Sequence, residues 1–109
     1  GYASKGALIL IKNEASIQVQ LIIAIGVVLC GFYFDISKLE WIAQLLAIAL
    51  VLSIEGLNTA IEEIADFIHP DYHNKIGRIK DVAAGAVFFS AVIAIIIACI
   101  IYIPKLLLI

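Results

Sequence analysis

The chain has 109 residues, 64% of them hydrophobic, and its mean hydropathy is +1.14. Soluble domains are about 45–50% apolar, so the composition excludes a soluble enzyme, which would expose large apolar patches to water. A formal net charge of −2 without any Lys/Arg block also excludes a nucleic-acid-binding surface. The length predicts a single membrane-embedded domain, residues 1–109.

An amphipathic segment comes first in the predicted architecture. Between about residues 4 and 16, the apolar Leu8 and Ile11 stand beside the polar Lys5 and Lys12. A helix of this kind lies along the membrane surface. The first residues lack the apolar region and cleavage site of a signal peptide, so we do not expect one there.

Three apolar segments follow, and each is long enough to cross the ~30 Å hydrocarbon core of a bilayer as a helix. They run from about residue 17 to 34, from about 41 to 60 and from about 82 to 103. Trp41 begins the second segment, a position typical of aromatic residues at the membrane interface. The predicted fold is therefore an all-α membrane protein with a surface helix and three transmembrane helices.

The basic residues predict the orientation of these spans. Five lysines and arginines precede the first span or lie between the second and third, and two lie on the other side. The positive-inside rule places the N-terminus and the 66–81 connection in the cytoplasm. The polar ends of the spans are therefore predicted to face the cytoplasm.

Four polar residues share one face at the cytoplasmic end of the second span. Glu55, Asn58, Glu62 and Asp66 stand at i, i+3, i+7 and i+11, which is helical spacing. A carboxylate inside hydrocarbon costs ~2.5–3.5 kcal/mol on insertion scales, so Glu55 must face protein, water or a ligand. We interpret Glu55 as a general base for a substrate hydroxyl; the alternative is an anchor that hydrogen-bonds another helix.

The carboxylates of Glu14 and Glu62 are predicted to meet at the membrane interface, with Asn58 and Asp81 nearby. Such a group is self-repelling unless a cation neutralises it, and oxygen ligands of this type suit Mg²⁺. Solvated interfacial charge explains the same residues equally well, so both interpretations stay open. Glu63 lies off the shared face and is assigned to solvent.

The connection between the second and third spans supplies further polar groups. Lys80 and Asp81 are predicted just before the third helix, where Asp81 either caps the helix or joins a phosphate site at its N-terminus. The stretch HPDYHNKIGR, residues 69–78, is predicted to be a loop. It either contacts a nucleotide or forms an ordinary solvated turn, the interpretation that its composition favours. The sequence contains no glycine-rich phosphate-binding motif.

A row of small residues at spacing four occurs in the third span, consisting of Ala86, Ser90, Ala94 and Ala98. Small residues let helices approach closely in lipid, either within the chain or between copies. Three thin spans do not enclose an aqueous site by themselves. A homo-oligomer is therefore predicted.

Four blocks of the sequence resemble the prokaryotic diacylglycerol kinase family of small membrane lipid kinases. They are YASKG at residues 2–6, NEAS containing Glu14, EGLNTAIE at residues 55–62, and DYHNKIGRIKDVAAGAV at residues 71–87. The resemblance implies a homotrimer in the bacterial cytoplasmic (inner) membrane, with its active site at the cytoplasmic face. It also implies transfer of the γ-phosphate of Mg-ATP to the hydroxyl of a membrane lipid alcohol.

The resemblance further implies roles for individual residues. Glu55 is similar to the catalytic base, and Glu14 and Glu62 are similar to the Mg²⁺ ligands. The positions that match ATP contacts or line the same site are Tyr2, Glu14, Asn58, Glu62, Asp66, Asp71, Tyr72, His73, Lys80 and Asp81. The competing hypothesis is a non-enzymatic membrane subunit in which Glu55 and Asn58 pair helices or line an ion path.

One segment departs from the family pattern and bears on the lipid substrate. Enterobacterial members carry a pattern like EAAFRQE, whereas this chain has EASIQVQ, with Ile17, Gln18 and Gln20 replacing an aromatic residue, an arginine and a carboxylate. The KDVAAGAV block instead resembles Gram-positive members, many of which phosphorylate undecaprenol. The sequence thus leans towards undecaprenol over diacylglycerol.

Overall fold

The computed structural model describes residues 1–71 and 73–109, and these residues form four α-helices. Helix α1 spans Tyr2–Asn13, α2 spans Ala15–Tyr33, α3 spans Lys38–Ile68 and α4 spans Asn74–Leu107. The last three are long and apolar enough to cross a membrane. The predicted all-α membrane fold, a short amphipathic helix before three spans, is confirmed.

Helix α1 ends earlier than the predicted surface helix because Glu14 leaves the helical conformation. Glu14 is extended, with φ −106° and ψ 113°, and it separates α1 from α2. Leu10 lies one turn earlier, and its Cδ1 is 3.1 Å from the position that a Cβ would take on Gly56 of α3. Helix α1 thus packs on α3 at a point where α3 has no side chain.

Helix α2 ends in a Schellman motif, which reverses the chain in a few residues. Asp35 adopts the left-handed conformation with φ 51°, which Asp tolerates better than most residues. The backbone N–H of Asp35 donates to Phe32 O, and that of Ile36 donates to Gly31 O. The last carbonyls of α2 are therefore hydrogen-bonded.

Helix α3 begins with a capping box. The Glu40 N–H donates to Ser37 Oγ over 3.2 Å, and the Ser37 N–H donates to Glu40 Oε1 over 2.9 Å. This reciprocal pair satisfies two N–H groups that a helix start leaves free. The polar segment between the first two predicted spans is therefore a turn followed by a capped helix start.

Helices α3 and α4 both extend beyond the predicted spans at their polar ends. Helix α3 continues from residue 60 to Ile68, and α4 begins at Asn74 instead of residue 82. His73 caps α4, since its Nδ1 accepts from the Lys75 N–H over 3.1 Å. The predicted loop at 69–78 is therefore wrong from residue 74 onward. Hydropathy marks the part of a helix that lies in lipid, whereas helical hydrogen bonding continues into water.

Much of the apolar surface of the bundle points outwards. Many large apolar side chains on all three spans are exposed, among them Ile22, Leu46 and Phe89. Buried positions on α3 include polar residues such as Gln44, Glu55 and Asn58. This distribution fits a bundle in lipid, where apolar side chains gain little by turning inwards.

Polar contacts also join the three spans at the other end of the bundle, away from the acidic residues Glu55, Glu62 and Asp66. The Tyr102 hydroxyl of α4 lies 3.1 Å from Val27 O on α2, and it also contacts Gln44 Oε1 on α3. Lys105 Nζ lies 2.8 and 3.0 Å from the two carboxylate oxygens of Glu40. The start of α3 is therefore held against the end of α4.

Gly31 marks a close approach of α2 to α3. A Cβ placed there would lie 2.7 Å from Cη2 and 2.8 Å from Cζ2 of Trp41. We expect Gly31→Ala to lower the free energy of unfolding by about 1–3 kcal/mol, because the rigid indole must move. Thermal unfolding of the purified protein in detergent measures this loss.

Gly26→Ala is the matched control on the same helix, since no described residue beyond its chain neighbours and its own helix backbone has an atom within 4 Å of its Cβ position. Alanine is favoured over glycine in a helix interior by ~0.8–1 kcal/mol. Unchanged or raised stability is therefore expected. Equal destabilisation by both substitutions would contradict the close packing of Gly31 on Trp41.

Candidate functional site

Glu55 is a buried acid of α3 that falls within the predicted second span, residues 41–60. Its side chain is 8% exposed, and no hydrogen bond to its carboxylate occurs among residues 1–71 and 73–109. The Thr59 hydroxyl, one turn further, donates to the Glu55 backbone carbonyl over 3.2 Å. The sequence did not lead us to single out Thr59, although a threonine four residues after Glu55 on a helix can hydrogen-bond the Glu55 carbonyl. The Glu55 carboxylate is thus free of protein partners in this part of the chain.

Asn58 and Glu62 form a hydrogen-bonded pair on the next turn of α3. Asn58 Nδ2 donates to Glu62 Oε1 over 3.1 Å. Asn58 is buried and Glu62 is exposed, so the pair connects the interior with the surface. Asn58 Oδ1 is buried and accepts no hydrogen bond from the described residues. An amide oxygen without a partner is a ligand type that suits a hard cation such as Mg²⁺, although the amide atom that faces the Glu62 carboxylate is Nδ2.

An ion pair joins the polar ends of α3 and α4. Lys80 Nζ lies 2.5 Å from Asp66 Oδ1, and both side chains are exposed. The pair adds little stability, because water screens it, but it brings Lys80 to the acidic face of α3. The ion pair brings the Asp66 carboxylate beside Lys80, and the role of Asp66 in the site stays a prediction.

The prediction that Lys80 and Asp81 precede the third helix is wrong. Both lie in the second turn of α4, which begins at Asn74. The effect of the helix dipole falls off within the first turn, and His73 supplies the side-chain cap. Asp81 is thus an exposed residue within a helix and does not cap it.

Glu14 lies at the junction of α1 and α2 and is partly exposed. The contact of Leu10 with Gly56 brings α1 to the part of α3 that carries Glu55. Within residues 1–71 and 73–109, no group of three or more His, Cys, Asp or Glu is placed to hold a metal. A cation held by Glu14 and Glu62 would therefore need oxygen ligands from elsewhere, which Mg²⁺ commonly takes from phosphate and water.

Further residues predicted to contact ATP lie at the start of α1 and between α3 and α4. Tyr2 begins α1 and is 96% exposed. Asp71 and His73 are exposed between α3 and α4, where His69 Nδ1 lies 2.7 Å from Asp71 O. Tyr72 lies outside the described residues. The roles of these residues stay predictions.

The segment that departs from the family pattern forms the α1–α2 junction. Ile17 is buried. Gln18 Nε2 donates to the backbone carbonyls of Ile11 and Lys12, each over 3.1 Å. These are among the carbonyls that the end of α1 leaves free. Gln18 thus ties α2 to the end of α1, next to Glu14.

Comparison with known proteins decides the family. The family model for prokaryotic diacylglycerol kinase matches residues 1–102. This chain belongs to the prokaryotic diacylglycerol kinase family. Undecaprenol kinase of Bacillus subtilis (strain 168) is 39% identical over 105 residues, which cover 96% of this chain and 85% of the relative. Diacylglycerol kinase of Escherichia coli (strain K12) is 31% identical over 100 residues, 92% of this chain and 82% of the relative.

Membership in the diacylglycerol kinase family confirms the predicted class of enzyme, a lipid kinase. It also agrees with three helices that are long and apolar enough to span a membrane, so the chain is a multi-pass membrane protein. The matched range contains the candidate site residues from Tyr2 to Asp81. The competing hypothesis of a non-enzymatic subunit is set aside.

Proposed function

We propose that this member of the diacylglycerol kinase family transfers the γ-phosphate of Mg-ATP to the hydroxyl of a membrane lipid alcohol, with undecaprenol preferred to diacylglycerol. The observation that carries the proposal is the buried Glu55, one helical turn from the Asn58–Glu62 pair. Glu55 lies where a lipid hydroxyl arrives from the bilayer. Glu62 lies where ATP arrives from water.

The proposed roles follow from these positions. Glu55 accepts the proton of the lipid hydroxyl as its oxygen bonds to the γ-phosphorus and the bond from that phosphorus to the bridging oxygen breaks, which releases ADP. The Glu55 carboxylate suits this role because it is buried and has no hydrogen-bond partner among the described residues. Glu14 and Glu62 would hold the metal, and Asn58 Oδ1, which has no partner among the described residues, would be available as a further oxygen donor. Mg²⁺, when bound with ATP, supplies charge neutralisation for the transferred phosphoryl group.

Lys80 is proposed to contact the phosphates of ATP. Its ammonium already lies beside Asp66 on the acidic face of α3, and both groups are exposed. A polyphosphate has more negative charge than a single carboxylate and competes for the ammonium. The remaining proposed ATP contacts are Tyr2, Asp66, Asp71, Tyr72, His73 and Asp81.

The proposed assembly is a homotrimer in the bacterial cytoplasmic membrane, with the site at the cytoplasmic face. Two observations support a site that needs more than one chain. The described residues of one chain contain no group of three metal-binding side chains. In addition, the spans expose many large apolar residues on which other copies could pack.

The preference for undecaprenol is supported by the relatives. The Bacillus undecaprenol kinase is 39% identical to this chain, and the Escherichia diacylglycerol kinase is 31% identical. The replaced residues at the α1–α2 junction add to this argument. Gln18, which stands where the enterobacterial pattern has arginine, hydrogen-bonds the end of α1 next to the proposed metal ligand Glu14.

Phosphate transfer from γ-labelled Mg-ATP in mixed micelles tests the proposed function. Purified protein is given undecaprenol or diacylglycerol at equal mole fraction, and labelled lipid is measured over time. We expect faster labelling of undecaprenol. Faster labelling of diacylglycerol would overturn the lipid preference, and labelling of neither lipid while ATP binds would overturn the proposed reaction.

A further inference from the structure

Gln18 makes hydrogen bonds on both sides of Glu14, the residue that separates α1 from α2. Its backbone N–H, in the first turn of α2, donates to the Glu14 carbonyl over 3.0 Å. Its side-chain Nε2 reaches back past Glu14 and lies 3.1 Å from the carbonyl oxygens of both Ile11 and Lys12 in α1. One residue of α2 thus fixes the end of α1 and the residue that follows it.

The amide of Gln18 matches these two carbonyls in number and in kind. An amide nitrogen has two hydrogens, and each carbonyl accepts one of them. The opposite orientation of the amide would place Gln18 Oε1 against two other acceptors. Both carbonyls lie in the last turn of α1, where a helix leaves its carbonyl groups without backbone partners. The Gln18 side chain is therefore a cap for α1 that the next helix supplies.

The local sequence does not by itself interrupt the helix at Glu14. Residues 11–18, IKNEASIQ, contain no glycine or proline, the residues least favourable to a helix interior. A continuous helix would pair the two carbonyls with backbone N–H groups four residues further on. Glu14 is extended instead, and the Gln18 amide supplies the two hydrogen bonds. Removing this amide therefore favours one continuous helix.

The break between α1 and α2 determines where the Glu14 carboxylate lies. Glu14 is the N-cap residue of α2, yet its side chain makes no capping hydrogen bond. Leu10, one turn earlier, places α1 against Gly56 of α3. In a continuous helix α1 would follow the axis of α2 and leave α3. The position of Glu14 relative to Glu62 thus depends on the break that Gln18 stabilises.

We propose that Gln18 is a positioning residue, whose amide keeps Glu14 extended between α1 and α2 and so holds the Glu14 carboxylate at the metal site. This inference rests on the proposed function, in which Glu14 and Glu62 hold the metal. Gln18 acts through Glu14 and does not itself contact the metal, ATP or the lipid. Its loss therefore raises the Mg²⁺ requirement, and bound Mg-ATP, which favours the broken form, offsets the loss at high Mg²⁺.

The backbone conformation of Glu14 can be measured without ligand or turnover. The chain contains five glutamates, and all except Glu14 lie in α3. The ¹³Cα chemical shift separates helical from extended residues. Protein labelled with ¹³C-glutamate and purified in detergent should therefore show a single extended signal, that of Glu14. We expect Gln18→Leu to move this signal into the helical range.

The second measurement is the Mg²⁺ concentration at which ATP raises the thermal stability of the assembled protein. We expect Gln18→Leu to raise this concentration about tenfold, as losses of groups that orient a metal ligand do, with kcat at saturating Mg²⁺ within about twofold of wild type. Gln18→Arg provides N–H donors at the same position. It should return the Glu14 signal and the Mg²⁺ requirement to near wild-type values.

Ser16→Leu is the matched control, because Ser16 is exposed in the same turn of α2 and its side chain makes no hydrogen bond to the described residues. It introduces the same leucine and should leave the Glu14 signal and the Mg²⁺ requirement unchanged. Gln18→Glu is a second test variant, which keeps the size of the side chain but has no N–H group. It should behave like Gln18→Leu.

Three outcomes overturn the proposal. An extended Glu14 signal in both Gln18→Leu and Gln18→Glu would show that the break does not depend on the amide. An equal change in Ser16→Leu would assign the effect to a leucine at this surface. A helical Glu14 signal with an unchanged Mg²⁺ requirement would separate the break from the metal site. If wild type binds no ATP at any Mg²⁺ concentration, the proposed function fails as well, whereas normal binding in every variant removes only the role of Gln18.

Discussion

Glu55→Gln is expected to lower kcat for lipid phosphorylation by about 10²–10⁴-fold, the usual contribution of a general base. Glutamine keeps the size of the side chain and its capacity for hydrogen bonds, but it does not accept the substrate proton. The folded protein and its affinity for ATP should be preserved, since Glu55 is proposed to act on the lipid hydroxyl. Labelled-phosphate transfer gives kcat, and thermal unfolding in detergent reports the fold.

Glu63→Gln is the matched control for this substitution. Glu63 lies on the same helix and is exposed, and it is off the face shared by Glu55 and Glu62. Its removal should leave kcat within about twofold of wild type, because a surface charge of this type contributes little. Turnover by Glu55→Gln at the wild-type rate would show that Glu55 only anchors a helix, since an amide serves that purpose equally well.

Glu62→Gln is expected to raise the Mg²⁺ concentration needed for ATP binding by about 10–100-fold. The substitution removes the carboxylate charge, while the side chain can still accept the hydrogen bond from Asn58 Nδ2. A weaker Mg²⁺ dependence of ATP binding would therefore reflect loss of a metal ligand and not a disturbed helix. Binding of nucleotide to the folded state raises its thermal stability, so unfolding in ATP at increasing Mg²⁺ measures the effect.

The substitutions of Glu55 and Glu62 are expected to change different kinetic properties. Glu55→Gln should affect kcat at saturating Mg²⁺, and Glu62→Gln should be rescued in part by additional Mg²⁺. An unchanged Mg²⁺ titration for Glu62→Gln would remove Glu62 from the metal site. Rescue of Glu55→Gln by Mg²⁺ would place Glu55 among the metal ligands instead of at the lipid hydroxyl.

The positions of the acids on α3 and their contacts within that helix were predictable, but their contact with another helix was not. The 3.6-residue period puts Glu55, Asn58, Glu62 and Asp66 on one face wherever that helix packs. The hydrogen bond between Asn58 and Glu62 is local and follows from the i+4 spacing. The ion pair of Asp66 with Lys80 crosses to another helix, and the sequence placed Lys80 outside any helix. This ion pair could be predicted only with the knowledge that α4 begins at Asn74 and includes Lys80.

Helix ends were the least predictable part of the fold. Hydropathy places about 20 residues in lipid, yet α3 and α4 contain 31 and 34 residues. Backbone hydrogen bonds continue past the membrane boundary wherever no residue breaks them. The cap at His73 depends on its ring position, and histidine is not among the usual N-cap residues.

Composition and helical periodicity by themselves determined that this protein is an α-helical membrane protein, and they predict a carboxylate, Glu55, within its second span. Both properties follow from local chemistry, because hydrocarbon requires satisfied backbone groups and penalises charge. Only the tertiary structure decided which distant residues meet: Gly31 with Trp41, Tyr102 with Val27 and Gln44, and Lys105 with Glu40. Such contacts depend on the rotation and depth of each helix, which packing between helices sets and hydropathy does not encode.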